Sequence, residues 1–184
     1  KLIDAKNKLS VQVHPDDSYA WVHEKENGKN EMWYILWASP DARLILDVKK
    51  NVSKDRFLTG VLEGNLDECL NSVPVKQGDV IYIPAGLVHA IGAGIVLIEI
   101  QQNSNTTYRV FDWNRTEGGR ARPLHIDKAM DVINFDVIEP GKGTPKLVED
   151  ANGVRRWRLC SNRYFTTERV EFASGARFSG DLNG

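Results

Sequence analysis

Short runs rich in β-branched and aromatic residues dominate this chain, and turn-forming residues cut each one off before it reaches helix length. They are Leu9 to Val13, Glu31 to Trp37, Arg43 to Asp47, Val80 to Ile83, Ile95 to Gln101 and Thr107 to Trp113. Residues of these types pack well on a pleated, half-buried surface. A parallel α/β sheet would need a helix at each crossover, and no such alternation is present. The opening Lys1-Leu2-Ile3-Asp4 reads as one more apolar strand. Ser39-Pro40-Asp41, Gln77-Gly78-Asp79 and Gly92-Ala93-Gly94 are breaks of the hairpin kind, so consecutive strands are expected to be antiparallel neighbours. The pattern favours an all-β sandwich or jelly roll, and the interior of such a barrel is where a ligand site belongs.

Two segments depart from the β pattern. Between Ser53 and Asn71, Ser53 can cap a helix, and Phe57, Leu58, Val61 and Leu62 fall at helical spacing, continued by Leu66 and Leu70. This predicts a short helical excursion outside the barrel, and Ile126 to Phe135 reads as one more amphipathic helix or turn. The stretch Glu139 to Asp150 carries Pro140, Gly141, Gly143 and Pro145 and is the expected boundary. Residues 1–138 would then form one barrel, and residues 139–184 a connecting segment and the incomplete start of a second β-rich half.

With 24 Lys and Arg against 25 Asp and Glu, the net charge of -1 gives no electrostatic reason to expect nucleic acid or an anionic membrane as partner. No apolar stretch approaches the roughly 18 residues of a membrane span. The expected location is the cytoplasm, and Cys69 and Cys160, far apart and without metal-type spacing, are expected to be free thiols.

The most specific local signal is Gly78-Asp79-Val80-Ile81-Tyr82-Ile83-Pro84-Ala85-Gly86-Leu87-Val88-His89. Gly78-Asp79 turns the chain, Val80 to Ile83 forms a strand, and Pro84 and Gly86 impose a tight bend. His89 then opens the next strand, where it can point inward. Gln12 and His14 are two residues apart, so on a strand both project from the same face, as two ligands of one ion require. Glu31 begins the next strong strand and can supply a carboxylate. Two imidazoles, a carboxylate and an amide oxygen make a mixed N/O set that suits zinc and admits other divalent metals. Taken singly, Gln12 would be an ordinary strand residue and Glu31 a solvated charge; the joint pattern points instead to a common ion.

The Gly78 to His89 run resembles the second conserved motif of the cupin superfamily, matching its Gly, Pro, Gly and His positions but not its final Asn. Four ordered blocks extend the resemblance: Leu9 to Asp17, Gly28 to Tyr34, Pro84 to Gly92 and Glu99 to Trp113. Together they look like type I mannose-6-phosphate isomerase in its short bacterial form, over Lys1 to about Ile133. The resemblance implies a cupin-type jelly-roll barrel holding one zinc ion on Gln12, His14, Glu31 and His89, acting on a small sugar phosphate. It also implies a catalytic role for Arg109, and it places Glu99 and Lys29 in the active site, with Ser10, Lys1 and Arg115 around the sugar phosphate. Asn30 and Leu87 stand where the family commonly has threonine.

Moving a carbonyl between C1 and C2 requires removing a carbon-bound proton, passing through an enediol or enediolate, and returning the proton to the neighbouring carbon. Glu99 is the candidate base, with a metal-bound water as the alternative. Arg109 would stabilise the negative charge that develops. Lys29, Ser10, Lys1 and Arg115 would hold the phosphate, whose binding orients the reacting carbons. His23 and His125 have no partner pattern and fall outside the site. Trp21, Trp33, Trp37, Trp113 and Trp157 are assigned to core packing. A non-catalytic sugar-binding cupin with a structural metal, and a cupin oxygenase, are the competing readings. Arg109 and Glu99 argue against the first, and Gln12 with the phosphate-directed cations against the second.

Overall fold

The computed structural model describes residues 1–136 and 142–177. The chain divides into two compact units, Lys1–Lys142 and Gly143–Gly184. The boundary expected at residue 139 lies outside the described residues.

In chain order the first unit runs β1 (Leu2–Ala5), β2 (Val11–Val13), α1 (Asp17–His23), β3 (Glu31–Ala38), β4 (Arg43–Val48) and α2 (Lys54–Glu63). A 3-10 turn at Leu66–Cys69 leads to β5 (Leu70–Pro74), β6 (Val80–Ile83), β7 (His89–Ile91), β8 (Ile95–Gln101) and β9 (Tyr108–Phe111). The small hairpin β10 (Thr116–Glu117) and β11 (Arg120–Ala121), α3 (Ile126–Val132) and the edge strand β12 (Lys142–Gly143) follow. One five-stranded sheet has the order β1-β8-β3-β6-β12 and the other β5-β4-β7-β2-β9.

These orders correct the hairpin expectation. Strands β3 and β4, β5 and β6, and β7 and β8 each lie in different sheets, so the breaks at Ser39, Gln77 and Gly92 are corners that carry the chain from one sheet to the other. A corner and a hairpin use the same turn residues; only long-range pairing separates them. Gly92 shows what a corner needs, since a Cβ there would stand 2.0 Å from the Arg43 carbonyl oxygen. The architecture is the expected all-β jelly roll with helical excursions, but the sheets are not closed into a barrel. Strands β1 and β9 remain edges, and side-chain packing rather than a continuous ladder joins the sheets.

Trp33, Ile35, Ile81, Ile83, Ile95 and Leu97 of the first sheet pack with Leu44, Leu46 and Ile91 of the second and with Leu87, just before β7. The opposite face of the second sheet presents Val11, Val13, Val88, Ala90 and Val110 to Phe57 and Val61 of α2 and Ala129 and Met130 of α3. Alternation along β2 therefore sends its valines toward the helices, leaving Gln12 the other face. Helix α2 is capped by Ser53, whose side chain accepts from the Arg56 amide, and stops at Gly64 in the left-handed region. The helical stretch expected to reach Asn71 thus ends earlier, and Leu70 and Asn71 belong to β5. Helix α1, which the sequence pattern did not suggest, is capped by Asp16 through the Tyr19 amide.

The second unit is a three-stranded antiparallel sheet, β13 (Lys146–Ala151), β14 (Val154–Ser161) and β15 (Thr166–Phe172). Strand β13 begins inside the stretch expected to be a boundary. Cys69 and Cys160 are free. No helix among the described residues is long and apolar enough to cross a membrane.

Candidate metal centre

Both sheets contribute to one cluster of buried polar groups. His89 opens β7, His14 follows β2, and Glu31 opens β3 in the facing sheet. All three are at most 1% exposed, and one ligand atom from each lies within 4.8 Å of the others. His14 Nε2 stands 3.1 Å from Glu31 Oε1, and the His14 and His89 ring centroids are 4.8 Å apart. The other ring nitrogens are engaged: His14 Nδ1 lies 3.1 Å from the Thr106 carbonyl oxygen and His89 Nδ1 2.8 Å from that of Leu87. Backbone carbonyls accept only, so each Nδ1 carries the proton and each Nε2 presents a lone pair inward. His14 Nε2, Glu31 Oε1 and His89 Nε2 are buried with no hydrogen-bond partner. Three such atoms converging on one point are costly unless a cation satisfies them, and this donor set suits a divalent metal.

The electrostatics agree. Burial pushes the Glu31 carboxyl up, but the His14 ring beside it, with His89 and Lys29 behind, outweighs burial and holds the group below the usual carboxylate range. Burial drives His89 down to about 3, with the charge of His14 adding to the shift. Carboxylate and neutral imidazole are the metal-binding forms.

Pairing registers place the remaining candidates. Gln12 is paired with His89 on one side and with Arg109 of β9 on the other, so the three share a row and a face of the sheet. In the facing sheet Glu31 is opposite Gln101, and Trp33 opposite Glu99. Lys29 is buried, its Nζ 3.1 Å from Glu31 Oε1 and 3.4 Å from Thr107 Oγ1. Lys1 Nζ is 3.1 Å from Glu99 Oε1. Arg109 donates from one terminal nitrogen to the Pro123 carbonyl, while its buried Nε has no partner. Burial, and then the nearby Arg122 charge, lower the Arg109 pKa. Ser10 is buried immediately before β2. Arg115 is not brought into the cluster: it donates to the Asp112 carboxylate and to the Lys8 carbonyl. Asp112, hydrogen-bonded by Arg122 and Arg115 against the effect of burial, is held down at about 2.

Several contributors escaped the sequence reading. Trp33 is fully buried as expected, but its indole N–H donates to Glu31 Oε2 at 3.1 Å and to Glu99 Oε2 at 3.2 Å. Its place two residues after Glu31, on the same face of β3, was the available signal. Trp21 and Trp37, expected in the core, are 57% and 53% exposed. His125 brackets the Arg109 backbone: its Nδ1 accepts from the Arg109 amide, and its own amide donates to the Arg109 carbonyl. Asn30 is a buried clamp. Its Oδ1 accepts from Tyr82 Oη and the Ala85 amide, and its Nδ2 donates to Gln102 Oε1. It ties the start of β3 to the bend that leads to His89.

No protein-family model matches the chain. Its sequence is 39% identical over 178 residues to mannose-6-phosphate isomerase of Streptococcus mutans, covering 96% of this chain and 55% of that protein. It is 47% identical over 140 residues to mannose-6-phosphate isomerase ManA of Bacillus subtilis, covering 75% and 44%. The crystal structure of mannose 6-phosphate isomerase from Bacillus subtilis superposes with a TM-score of 0.86 at 33% identity, over 94% of this chain and 55% of the other. A variant phosphomannose isomerase from Salmonella typhimurium, at 15% identity and a TM-score of 0.56, shares the fold over 85% of this chain and 58% of its own. The chain thus spans about half the length of the relatives it matches, and over that span it is similar in sequence and fold to mannose-6-phosphate isomerases.

Proposed function

We propose that this chain supplies the metal-binding part of an aldose-ketose isomerase that interconverts mannose 6-phosphate and fructose 6-phosphate. One observation carries the reading: two imidazole nitrogens and a carboxylate oxygen, all buried and without hydrogen-bond partners, converge in a chain 39% identical to an isomerase of that name. Zinc is the proposed ion, held by His14, His89, Glu31 and the Gln12 amide oxygen. When bound, it supplies Lewis acidity to the sugar's carbonyl and hydroxyl oxygens.

Glu99 is the proposed base for the proton that moves between C1 and C2. One of its oxygens faces Lys1 Nζ and the other Trp33 Nε1, so its position is fixed from both sides. Arg109, in the same row as Gln12, stabilises the enediolate charge, and its unpartnered Nε is a donor available for this. Lys29 adds a second positive charge beside Glu31 and toward the substrate. Ser10, Lys1 and Arg115 are the proposed phosphate end. Of these, Arg115 stands outside the cluster, held by the Asp112 carboxylate; the sugar phosphate is the small-molecule partner.

The test is metal analysis together with a coupled isomerisation assay on the full chain, before and after chelation. We expect about one zinc per chain, loss of turnover with the metal, and recovery when zinc is returned. Turnover that survives complete metal removal refutes the proposal.

A further inference from the structure

Trp33 reads as a core residue, yet its one polar atom stands at the centre of the site. The side chain is fully buried, its ring meets His89 edge-on with centroids 5.4 Å apart, and its indole N–H lies between Glu31 Oε2 and Glu99 Oε2. The register of β3 on β8 enforces this arrangement, because Glu31 and Trp33 alternate onto one face and Trp33 is paired with Glu99.

The two oxygens of Glu31 are therefore treated differently. Oε1 faces His14 Nε2 and the Lys29 ammonium, each 3.1 Å away, while Oε2 accepts from the indole. Indole has one donor and no ring lone pair to offer. A histidine at this position would compete as a ligand, and a lysine would add charge. Tryptophan can occupy a carboxylate oxygen without doing either.

We propose that Trp33 is a positioning residue that keeps Glu31 a one-oxygen ligand, through Oε1, and holds Glu99 in fixed register with it through the shared N–H. The inference rests on the metal-centre reading above.

The experiment loads the full chain with Co2+ alone and records its visible absorption and binding stoichiometry. Trp33→Phe keeps an aromatic ring and removes the donor. A benzothienyl analogue of tryptophan placed at position 33 alone keeps the bicyclic shape and exchanges only the N–H for sulfur, so it tests the same bond where phenylalanine fails to fold. With Oε2 released, Glu31 can bind through both oxygens. We expect cobalt still bound, with visible bands that weaken and move to shorter wavelength as coordination number rises. Affinity should fall about 10-fold, at the lower end for loss of a ligand's hydrogen-bond partner. Bound cobalt with bands unchanged from the unmodified chain overturns the role of Trp33. An unmodified chain that binds no cobalt overturns the metal reading itself, and the proposal with it.

Discussion

Asn30→Ala gives a direct test of how two segments of the candidate metal centre are held together. The Asn30 side chain makes three hydrogen bonds: Tyr82 Oη and the Ala85 amide donate to Oδ1 at 3.0 and 3.1 Å, and Nδ2 donates to Gln102 Oε1 at 2.7 Å. Gln102 in turn reaches Asp17 Oδ1, at the start of α1. At about 1 kcal/mol net for each bond, removal costs about 3 kcal/mol, and the half-buried Ala85 N–H left without a partner adds to this. For a chain of this size each kcal/mol moves the melting midpoint by about 2–4 °C, so a fall of about 6–12 °C is expected. Asn30→Thr, which restores one hydroxyl at the position where the family commonly has threonine, should recover part of the loss. Thermal unfolding followed by circular dichroism reads the midpoint, and zinc titration reads whether Glu31 and His89 still meet. A midpoint that drops by less than about 2 °C refutes the clamp, because even one lost buried bond exceeds that.

Arg109→Ala should lower turnover by about 100-fold or more while leaving zinc content unchanged, as expected for loss of a donor to developing charge; equal loss of metal would place Arg109 in the ligand set instead. His89→Ala should lose zinc and turnover together, read by metal analysis of the purified chain. His89 is held in the fold at about 3, below the ordinary histidine value of about 6.5, so between these the unfolded chain binds the extra proton and stability falls with falling pH. In metal-free protein this adds a slope of up to about 1.4 kcal/mol per pH unit below about pH 6.5, flattening below pH 3; His89→Phe should remove it in urea unfolding, and an unchanged slope would exclude His89 as its source. Gly28→Ala would put a Cβ 2.4 Å from the Asp16 carbonyl carbon and the Asp17 amide, a backbone clash costing about 3 kcal/mol or more; an unchanged melting midpoint would show that the loop yields freely.

What was legible in the sequence was local. Alternation located Glu31, His89 and the strands that carry them, and the Pro84 to His89 bend was readable from backbone chemistry alone. Pairing was not, because Ser39-Pro40-Asp41 turns the chain equally well within a sheet or between sheets. Helix α1 was hidden because Asp16-Asp17 follows Pro15 in a stretch with few apolar residues at helical spacing. Asn30 and His125 were invisible for a different reason. Their partners Gln102, Ala85 and Arg109 are distant in sequence, and nothing in a polar side chain announces which backbone groups it will meet. Trp33 is the core residue expected, and its single N–H drew no notice because tryptophan packs so well.

The placement of the site explains why the jelly roll can remain open. Its two sheets share no strand, so the interface between them rests on apolar packing and on whatever crosses from one to the other. Glu31 belongs to one sheet, and His14 and His89 to the other, and burying their converging polar atoms without partners would push the sheets apart by about 1–3 kcal/mol for each atom. A cation satisfying all three turns that repulsion into a cross-link between the sheets. Binding free energy at the centre is then also folding free energy. The same open edges hold two residues of the proposed site, since Arg109 lies on edge strand β9 and Lys1 directly precedes edge strand β1.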